Sequence, residues 1–125
     1  MSKFETELFE LINNENGFIF YKLLINGKSM FDYFVGRIRA SSPEERHLNK
    51  IYAYMDYFSK ELMPKTKFRN IKCAERKDIF EFKSQNVRVY VIIQEPCVYV
   101  VAGGLKANQD KDIKRIVQQI KEFQI

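Results

Sequence analysis

The sequence is poor in the residue types that build metal centres and disulfide frameworks. Its 125 residues include two cysteines, one histidine and no tryptophan. Cys73 and Cys97 stand in no metal-binding spacing with each other or with His47, and two cysteines do not form a disulfide framework. We therefore expect reduced, structural thiols, no metal site and no cofactor.

Long apolar segments are also missing. The longest apolar run, residues 18–25, is interrupted by Lys22 and is far shorter than the ~20 residues that a transmembrane helix needs. The first ten residues carry acidic side chains where a signal peptide would carry positive charge. We expect a cytoplasmic protein without membrane contact. Its length and its apolar content of 46% are typical of one globular domain, which would span residues 1–125.

Familiar catalytic motifs do not occur either. The chain contains no nucleophile elbow, no zinc-ligand cluster and no dinucleotide-binding fingerprint. Gly103 and Gly104 precede Lys106, but they lack the spacing of a phosphate-binding loop. We interpret these two glycines as a bend that releases a strand toward the following helix.

Positive charge is concentrated in the second half of the chain. The formal net charge is +5, with −1 in residues 1–62 and +6 in residues 63–125. Such asymmetry is typical of proteins that bind polyanions, most often nucleic acid, although a solvated basic loop explains it equally well. The densest basic segment, residues 65–77, supplies the candidate RNA-binding residues Lys65, Lys67, Arg69, Lys72, Arg76 and Lys77.

The central pattern consists of three strands and a helix. Residues 79–83, 87–94 and 97–103 are rich in branched and aromatic side chains and are separated by turn-forming residues, so they predict antiparallel neighbours. Arg88 and Tyr90 alternate with valines along the middle strand. We expect the valines to face the core and the Arg88 face to be open to solvent. A last helix follows, with its apolar stripe at Ile113, Ile116, Val117, Ile120 and Phe123.

The first half of the chain predicts a hairpin and two helices. Residues 3–12 suit a helix or a strand, but the turn-rich segment 13–17 favours a strand–turn–strand hairpin extension over residues 1–17 and the following strand. Ser29 and Ser42 are helix N-caps, and the second helix is expected to continue to Pro64. The predicted fold is α+β: an antiparallel sheet of three to five strands, two N-terminal helices on one face, and a C-terminal helix. The apolar face of the second helix comprises Leu48, Ile51, Tyr52, Met55, Phe58 and Leu62.

The order of the predicted strands and helices along the chain resembles that of a known protein family. The segments concerned are FIFYKLLINGKSMFDYF, KDIFEFKSQNVRVYVII and VVAGGLKANQDKDIKRI. They are similar to the strand, turn and Phe-rich first helix, the acidic–aromatic and arginine-bearing strands, and the lysine-containing exit with its last helix. The chain thus resembles the RelE/HigB toxins of type II toxin–antitoxin modules, within the RelE/ParE superfamily.

The resemblance implies a small ribonuclease that cleaves mRNA in the ribosomal A site and is neutralised by a cognate antitoxin protein. Cleavage in that family is a metal-independent transesterification, in which a 2′-hydroxyl attacks the adjacent phosphate. Arg88 matches the strand arginine of the family, which implies that it contacts the scissile phosphate or stabilises the transition state. Lys106 matches one lysine of the family's exit segment. Lys83 and Glu81 would share the Arg88 face, and the candidates for the general base are Lys106, Lys83 and Tyr90.

Two other functions remain open at this level. The same scaffold hosts non-catalytic binding proteins, such as a ParE-type gyrase inhibitor or a degenerate RNA- or protein-interaction module. A basic RNA-binding accessory protein also fits the charge distribution.

Overall fold

The structure is a computed structural model that describes residues 2–59, 61, 63–73 and 75–123. Within these residues, six strands form one sheet: β1 (Phe4–Leu8), β2 (Ile19–Ile25), β3 (Phe68–Asn70), β4 (Ile79–Ser84), β5 (Val87–Gln94) and β6 (Cys97–Leu105). The helices are α1 (Met30–Gly36), α2 (Pro43–Asp56) and α3 (Gln109–Gln119), and a short 3-10 turn at Lys106–Asn108 leads into α3.

The sheet is mixed, with the strand order β1-β2-β6-β5-β4-β3. The three predicted strands β4, β5 and β6 are antiparallel neighbours, as expected, but β2 pairs parallel with β6. A parallel pair requires a long crossover, and the chain between Ile25 and Cys97 provides it. The α+β class is therefore confirmed, whereas the sheet has six strands rather than three to five and is not purely antiparallel.

The N-terminal hairpin is confirmed. β1 and β2 are antiparallel and begin with the pair Phe4 and Ile25. The segment between them is attached to the end of α2, because the Asn14 side chain donates to the carbonyl oxygens of Met55 and Phe58. Residues 3–12 thus contain a strand and no helix.

Both predicted helix starts are confirmed by their caps. The Ser29 hydroxyl accepts a hydrogen bond from the Asp32 amide at 3.0 Å, and the Ser42 hydroxyl accepts one from the Glu45 amide at 3.2 Å. The second helix ends at Asp56, earlier than predicted. Phe58 follows its end and is still fully buried, while Leu62 lies outside the described residues.

One face of the sheet forms the larger core. Val87, Val89, Val91 and Ile93 project toward it, as their alternation predicts. α1 and α2 cover this face and bury Phe31, Leu48, Ile51 and Met55. Both N-terminal helices therefore pack on one face, as expected.

The second face is buried as well, and the expectation of a solvent-exposed face is wrong. α3 and the residues after it lie over it, and they bury Ile116, Ile120 and Phe123 against side chains of β2, β5 and β6. The apolar stripe of α3 needs this partner surface, so the helix covers the face that carries Arg88. Among the helices in the described part of the chain, none is long and apolar enough to cross a membrane.

Candidate functional site

A cluster of charged and polar side chains lies on the sheet face under α3. In the strand register, Arg69 of β3 is opposite Glu81 of β4, Glu81 is opposite Tyr90 of β5, and Lys83 is opposite Arg88. Residues directly opposite each other on antiparallel strands have neighbouring side chains on one face. We call these five residues the ionic cluster.

The Glu81 carboxylate is the centre of the ionic cluster. It is fully buried, and three side chains surround it. Arg69 Nε donates to Oε2, Gln109 Nε2 of α3 donates to Oε1 at 2.5 Å, and Arg88 Nε lies 3.9 Å from Oε1. A buried charge is tolerated when it is paired and hydrogen-bonded in this way.

Arg88 is buried, with an exposed fraction of 6%. Its Nη1 donates to the carbonyl oxygens of Gln85 at 2.5 Å and Val87 at 3.1 Å. Its Nε has no hydrogen-bond partner among the described residues. The guanidinium thus braces the β4–β5 turn and faces the Glu81 carboxylate, away from solvent.

Tyr90 is fully buried, and its hydroxyl also lacks a hydrogen-bond partner in the described part of the chain. Burial raises the pKa of this phenol, and the nearby Glu81 and Asp112 carboxylates raise it further. The raised pKa keeps Tyr90 protonated at neutral pH. Of the three candidates for the general base, Tyr90 is therefore the least suited chemically.

Lys83 differs because it is only half-buried, at the margin of the ionic cluster. Desolvation lowers the pKa of its amine, and the neighbouring Arg69, Arg88 and Lys106 cations lower it further, while Glu81 opposes them. A lysine with a lowered pKa has a larger neutral fraction, and the neutral amine is the form that accepts a proton.

Lys106 lies close to the same end of the sheet. Its backbone amide donates to the Asn86 carbonyl at 2.7 Å, which holds the exit from β6 against the β4–β5 turn. The Lys106 side chain is exposed. Arg69 is also accessible, with 49% of its side chain exposed. The predicted residues Arg69, Lys83 and Lys106 thus provide the solvent-facing positive charge beside the buried pair of Glu81 and Arg88.

The basic side chains of the predicted segment 65–77 differ in exposure and in contacts. Lys65, Lys72 and Lys77 are exposed, whereas the Lys67 ammonium lies over the Tyr54 ring, 4.9 Å from its centroid. Such a contact directs the charge of Lys67 toward α2.

Arg76 has a structural position in this segment. Its Nε and Nη2 donate to the Asp78 carboxylate at 2.8 and 2.7 Å, and its Nη1 donates to the carbonyl oxygens of Ile120 and Phe123. Ile120 is the C-cap of α3, where cations are favourable, and Phe123 lies just beyond it. Arg76 therefore fastens the last helix to the sheet.

Sequence reasoning missed two residues of α3 that touch the site, Gln109 and Asp112. Gln109 binds Glu81, and the Asp112 carboxylate lies directly over Gly104, where a side chain would collide with it. Gln109 and Asp112 lie seven and four positions before Ile116, so they are on the same face of α3 as its apolar stripe. This spacing is the sequence feature that could have identified them.

No group of three histidine, cysteine or acidic side chains within the described ranges could hold a metal ion. Cys73 and Cys97 are free and half-buried. In comparisons with known proteins, no family model, no curated protein and no solved structure matches this chain.

Proposed function

We propose that the chain is the toxin of a type II toxin–antitoxin module and acts as a ribosome-dependent mRNA endoribonuclease. The observation that supports this function best is the grouping of Arg69, Lys83 and Arg88 at one buried carboxylate, with the Lys106 cation near Lys83. Several cations at one point fit a reaction in which negative charge develops on a phosphate. The proposed site of action is the ribosomal A site in the cytoplasm.

In the proposed reaction, the neutral Lys83 amine takes the proton of a 2′-hydroxyl. The 2′-oxygen forms a bond to the adjacent phosphorus, and the bond from phosphorus to the 5′-oxygen of the next nucleotide breaks. The leaving 5′-oxygen receives a proton from the Lys106 ammonium, which gives a 2′,3′-cyclic phosphate and a 5′-hydroxyl end. Arg69 contacts the phosphate oxygens, and this contact suits its planar guanidinium.

In this proposal, Arg88 and Glu81 are positioning residues. They are buried in the arrangement observed, and they hold β4, β5 and Arg69 in register. Direct contact between Arg88 and a phosphate would require α3 to move away from the sheet. The proposed cognate antitoxin would prevent cleavage by covering the exposed cations at this end of the sheet.

Induction of the protein in a bacterial host, followed by mapping of mRNA 5′ ends, tests the proposal. The wild type should stop growth and produce new ends within translated codons. Lys83→Ala should lower cleavage by on the order of a hundredfold or more, the usual contribution of a general base. Lys121→Ala removes an exposed lysine outside the ionic cluster and should cleave normally. Absence of new ends in the wild type, or full activity of Lys83→Ala, would overturn the proposal.

A non-catalytic function on the same scaffold is the second candidate. The burial of Arg88, Glu81 and Tyr90 under α3 favours it, because buried side chains do not reach a substrate. A ParE-type inhibitor would block supercoiling by gyrase in a purified assay without cleaving mRNA. That result would assign the chain to the binding class.

The exposed lysines of the basic segment give a test of RNA contact. Phosphate neutralisation makes the logarithm of affinity fall with the logarithm of salt concentration, by roughly 0.7–0.9 per contact. Lys65→Ala combined with Lys72→Ala should flatten this slope for binding to ribosomes. An unchanged slope would show that these lysines are only solvated charge.

A further inference from the structure

A cavity of about 470 Å³ opens between α1 and the first half of α3. The end of β6 forms its floor through Gly103, Gly104 and Leu105. Added side chains at the two glycines would collide with Phe34 of α1 and Asp112 of α3, so the glycines allow both helices to approach the strand closely. The cavity is therefore built by the packing of three elements.

The walls of this cavity carry an excess of positive charge. Arg37, Arg39, Lys111 and Arg115 line it, against the two carboxylates of Glu44 and Asp112. Arg115 lies 3.5 Å from the Asp112 carboxylate. Arg37, Arg39 and Lys111 form no ion pair within the described ranges. A concave site with charge of one sign concentrates ligands of the opposite sign.

An aromatic ring stands at the same cavity. Tyr33 has an exposed fraction of 69% although it is a large aromatic residue on a short helix that buries Phe31. The Arg37 guanidinium lies 5.6 Å from the centroid of the Tyr33 ring, which keeps ring and cation together. An exposed ring beside free cations suits a ligand with one planar and one anionic part.

The opposite wall provides a buried hydrogen-bond acceptor. Asp112 has an exposed fraction of only 8%, and its nearest cationic partner, Arg115, is at the limit of hydrogen-bonding distance. Burial raises the pKa of this carboxyl. A ligand N–H group would satisfy the Asp112 oxygen better than the present contact does.

We propose that this cavity binds a nucleoside phosphate, either free or as one nucleotide of an RNA strand. The phosphate lies among Arg37, Arg39 and Lys111, the base stacks on Tyr33, and Asp112 accepts a hydrogen bond from the base. The volume is in the usual range of small-ligand cavities, about 300–1,000 Å³. Only the RNA source of the nucleotide rests on the function proposed above.

Calorimetric titration of the full chain tests this site with three probes: adenosine monophosphate, inorganic phosphate and a short single-stranded RNA with 2′-O-methyl groups that prevent cleavage. The wild type should bind the mononucleotide more tightly than phosphate. Arg37→Ala combined with Arg39→Ala should weaken both by about tenfold or more, because two cations are lost. Tyr33→Ala should weaken the mononucleotide by about tenfold and leave phosphate unchanged, because only base stacking is lost.

Lys114→Ala is the matched control, since it removes a lysine of α3 that does not line the cavity. It should bind all three probes as the wild type does. If the wild type binds only the RNA probe and Tyr33→Ala abolishes that binding, the bound nucleotide belongs to an RNA strand and the proposal is supported. Equal affinity for phosphate and mononucleotide where both bind, or no effect of Tyr33→Ala on the probes that bind, overturns it, and so does a failure to bind any of the three probes.

The same variants separate this proposal from the proposed ribonuclease function. Lys83→Ala, which removes the proposed base, should keep nucleotide binding in the cavity. If the wild type cleaves no mRNA but binds the mononucleotide through Tyr33, the ribonuclease proposal fails and the cavity proposal stands. If it cleaves mRNA but binds no probe, the cavity proposal fails alone.

Discussion

Replacing Arg88 by alanine should lower the free energy of unfolding by about 2–4 kcal/mol. The side chain is 6% exposed, donates two hydrogen bonds to carbonyl oxygens, and faces the fully buried Glu81 carboxylate. Hydrogen bonds of charged groups contribute about 1.5–3 kcal/mol, and removal of one partner of a buried ion pair costs about 3–5 kcal/mol. Because Glu81 keeps Arg69 and Gln109 as partners, the loss of stability should stay below the upper end of these two ranges.

Arg69→Ala is the matched control for this prediction. It removes the same functional group from the same carboxylate, but 49% of the Arg69 side chain is exposed. Water can then reach that side of Glu81, so the loss should be smaller than that of Arg88→Ala. The two variants therefore differ mainly in burial of the arginine.

Urea unfolding followed by circular dichroism measures both changes. With a denaturant slope of about 2 kcal/mol per molar urea, the midpoint of Arg88→Ala should fall by roughly 1–2 M, and that of Arg69→Ala by clearly less. A surface substitution typically changes stability by no more than about 0.5 kcal/mol. An effect of that size at Arg88, or equal effects of the two variants, would refute the argument and indicate that α3 does not cover Arg88 in solution.

Three further predictions concern the cover over the ionic cluster and its half-buried lysine. Gly104→Ala should lower the free energy of unfolding by about 1–3 kcal/mol, measured by heat or urea, because the new methyl group overlaps the Asp112 carboxylate of α3. Gly36→Ala is the control: its methyl group has open space around it, so the free energy of unfolding should change by no more than about 0.5 kcal/mol. Hydrogen exchange should be faster in α3 than in β5. Arg76→Ala should accelerate exchange in α3 further, because it removes the hydrogen bonds to Ile120 and Phe123, whereas Lys77→Ala should not. Equal protection of both elements would contradict a helix that can move away from the sheet. For Lys83, the folded-state pKa lies below the ordinary 10.5, so the unfolded chain binds more protons and wild-type stability should rise with pH between the two pKa values. The stability that Lys83→Met gains over the wild type should accordingly be largest at neutral pH and should disappear toward pH 10.5. A stability difference that does not change with pH would refute the lowered pKa.

Much of the local structure was predictable because local rules determine it. The caps at Ser29 and Ser42 are contacts between residues three apart, and both form as expected. The alternation of β5 places Val89 and Val91 in the core and Arg88 on the opposite face. The early end of α2 at Asp56 was not predicted, because Phe58 continues the apolar pattern although it lies beyond the helix.

The ionic cluster was predictable in part. The sequence alone placed Glu81, Lys83, Arg88 and Tyr90 on one face, because short turns between the strands leave few registers. The sequence did not place Arg69 with them, because the strand β3 that carries it has only three residues, too few to show an alternating pattern. The positions of Gln109 and the cavity beside α1 depend on helices that are distant in sequence.

What the sequence by itself determined is most of the elements, the face on which the residues of β4 and β5 lie, and the concentration of positive charge in the second half. Only the tertiary structure decided that β2 joins β6 in parallel and that α3 closes over the Arg88 face. The physical reason is that alternation assigns a residue to a face but carries no information about what packs on that face. Whether Arg88 is exposed or buried therefore depends on a helix that begins more than twenty residues later in the chain.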